Sequence, residues 1–197
     1  MKDFRLLGAL AVLSFGGPGT AEEVPVCDDG ASKCKTFPTR DDAAHYIEAY
    51  HQAALARTHA AAQEMPIDPR DCGLPVLVDA IRQSGAVGEK DAQIYVSLIG
   101  EDIDAGRRSE LRRQGVTVRP ASKLLHDSAA QAELQRSRHT LFWDFDVAVV
   151  GAGPTKDEYE YGAGYHCGTL CFARVKYLVK VNGATCSIVS TEVQGMS

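Results

Sequence analysis

Between residues 141 and 191 apolar and polar side chains alternate, the period of a half-buried β-strand. Leu141, Trp143, Phe145 and Val147 alternate with Phe142, Asp144, Asp146 and Ala148. Tyr159, Tyr161, Ala163, Tyr165 and Cys167 alternate with Glu158, Glu160, Gly162, Gly164 and His166. Ala173, Val175, Tyr177, Val179 and Val181 form a third such face. Asn182-Gly183 predicts a two-residue hairpin turn, and Thr185, Ser187, Val189 and Thr191 predict a last strand. Strands joined by short turns predict an antiparallel meander whose apolar face must be covered.

The first half of the chain has a different rhythm. Thr39, with Asp42 three residues on, predicts a capped helix running to about Gln63, with Ile47, Tyr50, Ala54 and Ala61 along its apolar side. Pro66, Pro69 and Asp71-Cys72-Gly73 predict a break. A second helix is then expected from Leu74 to about Gln83, with Pro75 in its first turn and Gly85 at its end. Ile94, Val96 and Leu98 mark a strand over 92–99. Asp104 heads a short basic helix that ends at Gly115, Val116 to Arg119 read as a short strand closed by Pro120, and residues 127–136 allow a helix. The prediction is an α+β fold with N-terminal helices packed on a C-terminal antiparallel β-meander of about four strands. Residues 39–197 are expected to form one domain, preceded by an irregular arm over 22–38.

The chain has 197 residues, 45% of them hydrophobic, which suits one ordinary domain and excludes a disordered protein. A net charge of -5 argues against nucleic acid as a partner, because phosphate binding needs a concentrated basic face. No apolar run is long enough to predict a membrane-spanning helix. Residues 1–21 have the layout of a secretory signal: Lys2 and Arg5, an apolar stretch from Leu6 to Phe15, a Gly-Pro break, and small residues up to Ala21. The expected location is periplasmic or secreted, with cleavage near Ala21.

Export changes the reading of the six cysteines, Cys27, Cys34, Cys72, Cys167, Cys171 and Cys186. An even count in an oxidising compartment predicts disulfides. Sequence alone leaves the connectivity open. Local spacing favours Cys27 with Cys34 and Cys167 with Cys171, which leaves Cys72 for Cys186. The competing reading is a metal or thiol site of His166, Cys167 and Cys171, a weak signal without a second close ligand pair.

Other candidate chemistry is sparse. Gly151-Ala152-Gly153-Pro154 resembles a dinucleotide-binding turn, but Lys156 stands where a third glycine belongs and strand-like alternation follows. A hairpin turn explains the string better. His45, His51 and His59 are not spaced to stack on one helix face. Glu158, Glu160 and His166 share a strand face that reads as the wet side of a sheet. Arg107, Arg108, Arg112, Arg113, Arg119 and Lys123 read as a solvated basic run. No nucleophile motif is present, and no cofactor or catalytic residue is implied. Tyr159, Tyr161, Tyr165 and Tyr177, with Trp143 nearby, converge on one sheet region that is either core or a binding wall.

Ile94 to Leu98, Val116 to Ser122, the Tyr165-His166-Cys167-Gly168-Thr169-Leu170-Cys171 turn and Tyr177-Leu178-Val179 before Asn182-Gly183 resemble a group of small exported bacterial proteins with a C-terminal Y-x-C-G-x-L-C hairpin. The likeness spans residues 92–193. Those proteins often carry a Trp after the final Gly turn, where this chain has Ala184-Thr185-Cys186. The order of elements is similar to NTF2-like and cystatin-like folds, a likeness that supplies no catalytic residues. The expected function is binding of another protein, as an inhibitor, immunity or envelope accessory protein. The alternative is a small-ligand binder or enzyme with a pocket between helices and sheet.

Overall fold

The computed structural model describes residues 23–27, 34–85, 92–136, 142–166 and 172–196. Contacts divide the chain into two units that meet inside one helix, at residues 56 and 57.

The smaller unit contains strands β1 (Val24–Cys27) and β2 (Cys34–Phe37) and helix α1 (Arg40–Gln63) as far as Ala56. An irregular arm was expected here. Instead β1 and β2 pair antiparallel, with Val24 opposite Phe37 and Cys27 opposite Cys34. The two-residue period of Val24 and Val26 is enough to build a strand: both are buried, with Ala43, and Phe37, Tyr46 and Ile47 pack on them. Thr39 caps α1 as expected, its hydroxyl donating to Asp42 Oδ2 at 2.7 Å and accepting from the Asp42 amide at 3.1 Å.

The larger unit is built on a seven-stranded mixed sheet. Strands β6 (Phe142–Ala152), β7 (Glu158–His166), β8 (Phe172–Asn182) and β9 (Thr185–Met196) form the expected antiparallel meander. Strand β3 (Gln93–Leu98) runs parallel to β6 on its other side, with Gln93 opposite Phe142. Short strands β4 (Glu101–Asp102) and β5 (Arg119–Pro120) flank β3 beyond that. Parallel neighbours need a long connection. Here it holds α3 (Ala105–Arg113), α4 (Ala121–His126) and α5 (Ser128–Arg136). The strand read from Val116 to Arg119 shrinks to β5, because only Arg119 and Pro120 lie against β3, while Val116 and Val118 turn into the core.

Helix α2 (Pro69–Gln83) starts five residues earlier than its expected start at Leu74. Pro69 was read as a breaker. At the first helical position its missing N–H is one that would have no partner anyway. Asp68 supplies the cap, accepting from the Arg70 amide at 2.9 Å. Pro75 therefore lies in the helix interior. From α2, Cys72, Val76, Leu77, Ala80 and Ile81 lie over Phe145, Val147, Val149, Tyr161, Tyr177 and Val179 in one buried cluster.

Two turns set the register of the meander. Asn182 pairs with Thr185, so the loop residues are Gly183-Ala184, one position later than the sequence pattern placed them. Gly183 has a φ of 61°, and Ile99 is the only non-glycine with positive φ among the described residues, which fits a turn with Gly at its first central position. The Gly151-to-Pro154 string joins strand to strand, as a hairpin rather than a nucleotide-binding turn. The Gly153 amide donates to Glu158 O at 2.8 Å. A Cβ on Gly153 would stand 2.8 Å from Glu158 Cβ and 2.9 Å from its carbonyl carbon. Gly153→Ala is expected to destabilise the fold by about 1–3 kcal/mol. Urea unfolding checks this, and an unchanged midpoint would refute it.

Candidate functional site

Cys72 and Cys186 form a disulfide between α2 and β9, with Cα atoms 5.2 Å apart. Cys72 is fully buried. Strand register brings Cys27 directly opposite Cys34. Cys34 is itself disulfide-bonded. The Cys27 side chain, Cys167 and Cys171 lie outside the described residues. His166 ends β7, and its side chain lies outside them too. The metal or thiol reading thus falls on undescribed residues, and so does the N-terminal segment 1–21. Among the described residues, no group of three or more His, Cys, Asp or Glu side chains is placed to hold a metal ion.

The tyrosine region is core over most of its extent, one of the two readings that the sequence left open. Tyr161 and Tyr177 are fully buried and Tyr159 nearly so. Helix α2 and the end of α1 cover them: Tyr161 donates to Pro69 O at 2.8 Å, and Tyr159 donates to Glu64 O at 3.2 Å. Burial, and then the charge of Asp68, hold the Tyr161 phenol far above the usual tyrosine range. Burial and then Asp79 do the same to Tyr177. Tyr165 is half-buried, its ring 5.1 Å from that of Phe145. Trp143 stands opposite Ile94 in the sheet register, and its side chain lies outside the described residues.

The basic run is largely absorbed into structure. Arg107 touches three carboxylates, Asp68 and Asp71 of the α2 start and Asp104 at the α3 start, each at 2.7 Å. Arg108 donates to the Ile103 carbonyl, Arg113 pairs with Glu110, and Arg119 lies 5.8 Å from the Tyr95 ring. Partial burial opposes the Asp68 charge, but the Arg70 amide and Arg107 outweigh it and hold its carboxyl below the usual range. For Asp104 the Arg107 amide is the main cause of the same shift. A carboxyl lowered on folding adds stability above its unfolded pKa of about 4, and that stability is lost as pH falls through the folded value. Arg107→Met is expected to remove about 1–2 kcal/mol at neutral pH and to flatten the acid fall in stability. Urea midpoints between pH 7 and pH 3 test it. Parallel wild-type and variant profiles would sink the idea.

The remaining candidates are surface groups. His45 and His59 are exposed on α1, and the His51 ring is 6.3 Å from the half-exposed Tyr50. Glu160 pairs with Lys176 at 2.6 Å across the outer face of the sheet.

The chain matches no protein-family model, no curated protein and no solved structure. The surface must therefore speak through its own chemistry. Strand β9 ends the sheet: it pairs with β8 on one side, and no described strand lies on the other. Val189 and Val193 on β9 are 51% and 57% exposed, and Val150 on β6 is 45% exposed. Sequence reading found the β9 face as far as Thr191 and missed Val193. Two bulges break the simple alternation there, placing Ser190 opposite Leu178 but Ile188 opposite Val179, and Val193 opposite Val175 but Gly195 opposite Arg174. The i, i+4 repeat of valine is the signal that was available. No described helix is long and apolar enough to cross a membrane.

Proposed function

We propose that this is an exported, disulfide-stabilised, non-enzymatic binding protein of the inhibitor, immunity or envelope accessory type, acting on another protein through its surface. The observation that carries the reading is the filled interior. An NTF2-like ligand binder keeps a pocket between helices and sheet, and here Tyr159, Tyr161 and Tyr177 occupy that space under α2. The disulfide between Cys72 and Cys186 supports an oxidising compartment, periplasmic or secreted, with a signal peptide ending near Ala21. The Y-x-C-G-x-L-C turn supports kinship with the small exported bacterial proteins that share it.

A photo-crosslinking residue at Val150, with His59 on α1 as the control position, tests the reading in the producing cell. Recurrent capture of one protein from Val150, and none from α1, is the expected result. Capture that is equal at both positions would overturn it, as would a pure protein whose melting temperature rises with a small metabolite. Thiol alkylation with intact mass checks the compartment separately. Labelling of Cys167 and Cys171 without reductant would revive the metal or thiol site.

A further inference from the structure

The edge of a sheet exposes a row of unpaired N–H and C=O groups, and proteins blunt it with Lys, Pro, bulges or a covering element. At the β3 side of this sheet the edge is closed by β4 and β5, and Asp102 accepts from the Ser122 amide at 2.9 Å to fasten α4 there. The β9 edge is treated differently. Residues 185–196 contain no Lys, Arg or Pro, and Glu192 is the single charge. Its two bulges lie at either end of a regular stretch, Ser190 to Val193, instead of breaking its middle. Glu192 faces Lys176 across the strand pair and shares that cation with Glu160, which pairs with Lys176 at 2.6 Å.

We propose that β9 pairs antiparallel with β9 of a second copy of this chain, about a two-fold axis at Thr191. An in-sheet dyad keeps each face continuous, so it must place residues of like face opposite each other. Centred on Thr191, it sets Val189 against the partner's Val193, and Val193 against the partner's Val189. The two most exposed large hydrophobics among the described residues then cover each other twice. Glu192 falls opposite the partner's Ser190, so no charge meets its like directly across the pair. A shift of the axis by one residue to either side removes both valine pairs. The second copy is the occupant because the strand is self-complementary in this register and nearly uncharged. Two seven-stranded sheets would join into one. The inference does not depend on the identity of any other partner.

Sedimentation of the full oxidised chain over a range of concentrations is the test. The wild type is expected to reach the mass of two chains. V189K/V193K sets lysine opposite lysine at both sites and is expected to weaken the dimer roughly tenfold or more. V189E/V193K sets glutamate opposite the partner's lysine and is expected to restore it, with an affinity that falls as salt is added. T191C is expected to form a covalent dimer on mild oxidation, because the two introduced thiols meet on the axis. A wild type that stays at the mass of one chain overturns the proposal. A dimer that ignores V189K/V193K, or in which V189E/V193K fails to recover, overturns the register. A chain that is one copy in solution yet still captures another protein from Val150 leaves the proposed function standing and removes only this inference.

Discussion

Replacing Cys72 and Cys186 together with alanine is expected to lower stability by about 3–5 kcal/mol. The two residues are 114 apart in sequence, so their bond closes a long loop and removes much of the freedom of the unfolded chain. A typical domain has only about 5–15 kcal/mol in total. The variant should therefore melt roughly 10 °C lower. Thermal unfolding with and without reductant checks this in the wild type as well. The bond spans elements that have no other covalent tie: α2 on one side of the core and the last strand of the sheet on the other. A bond closing a loop as short as the one expected between Cys27 and Cys34 would matter much less, because a short loop has little entropy to lose. Superimposable wild-type melts in oxidised and reduced form would show that the staple adds nothing.

Tyr161→Ala is expected to have an effect of similar size, about 3–5 kcal/mol, because the whole ring is buried between α2 and the sheet. Tyr161→Phe keeps the ring and removes the hydroxyl, which donates to Pro69 O at 2.8 Å and to Met65 Sδ at 3.2 Å, for about 1–2 kcal/mol. The pair separates packing from hydrogen bonding at one position. Alkaline pH gives an independent reading. The folded-state pKa values of Tyr161 and Tyr177 are raised above the ordinary value of about 10. Their neutral forms are favoured by folding, so their contribution is complete below pH about 10 and is lost as pH rises further. Urea midpoints between pH 8 and pH 11, read beside tyrosinate absorbance, should fall only when those phenols begin to ionise. Tyr161→Phe and Tyr177→Phe should each soften that fall. A midpoint that drops already at pH 8 would mean that other groups control the alkaline limb.

Local rules carried much of this architecture. Thr39 and Asp42 marked the start of α1, Asp104 marked the start of α3, and alternation found all four meander strands. Even Cys72 with Cys186 was reachable once the other pairs were assigned by proximity. Non-local facts were not reachable. Gln93 and Phe142 are neighbours only because a long crossover brings β3 beside β6, and no window of sequence contains both. Pro69 carried one signal with two meanings, breaker or first helical residue, and the Asp68 cap decided it. The tyrosines show the limit most directly. Alternation put Tyr159, Tyr161 and Tyr177 on one face, but whether a face is covered depends on where α2 docks. Alternation reached Val189 and Thr191, and one more step of the same period reaches Val193; what the sequence did not carry is the exposure of both valines at the end of the sheet.

The crossover between β3 and β6 also sets the order in which the protein can assemble. The meander pairs are close in sequence, Glu158 with Lys180 and Asn182 with Thr185 among them, so they close small loops and can form early. Pairing of β3 with β6 must wait for the intervening helices to be placed, and the joining of Cys72 to Cys186 closes a longer loop still. Folding of such a chain belongs to the slow class governed by distant contacts. There is then an expected interval in which the meander is formed while α2 is still undocked and the tyrosine face is open to water. During that interval the chain is most exposed to aggregation and most in need of an oxidant that acts late rather than early.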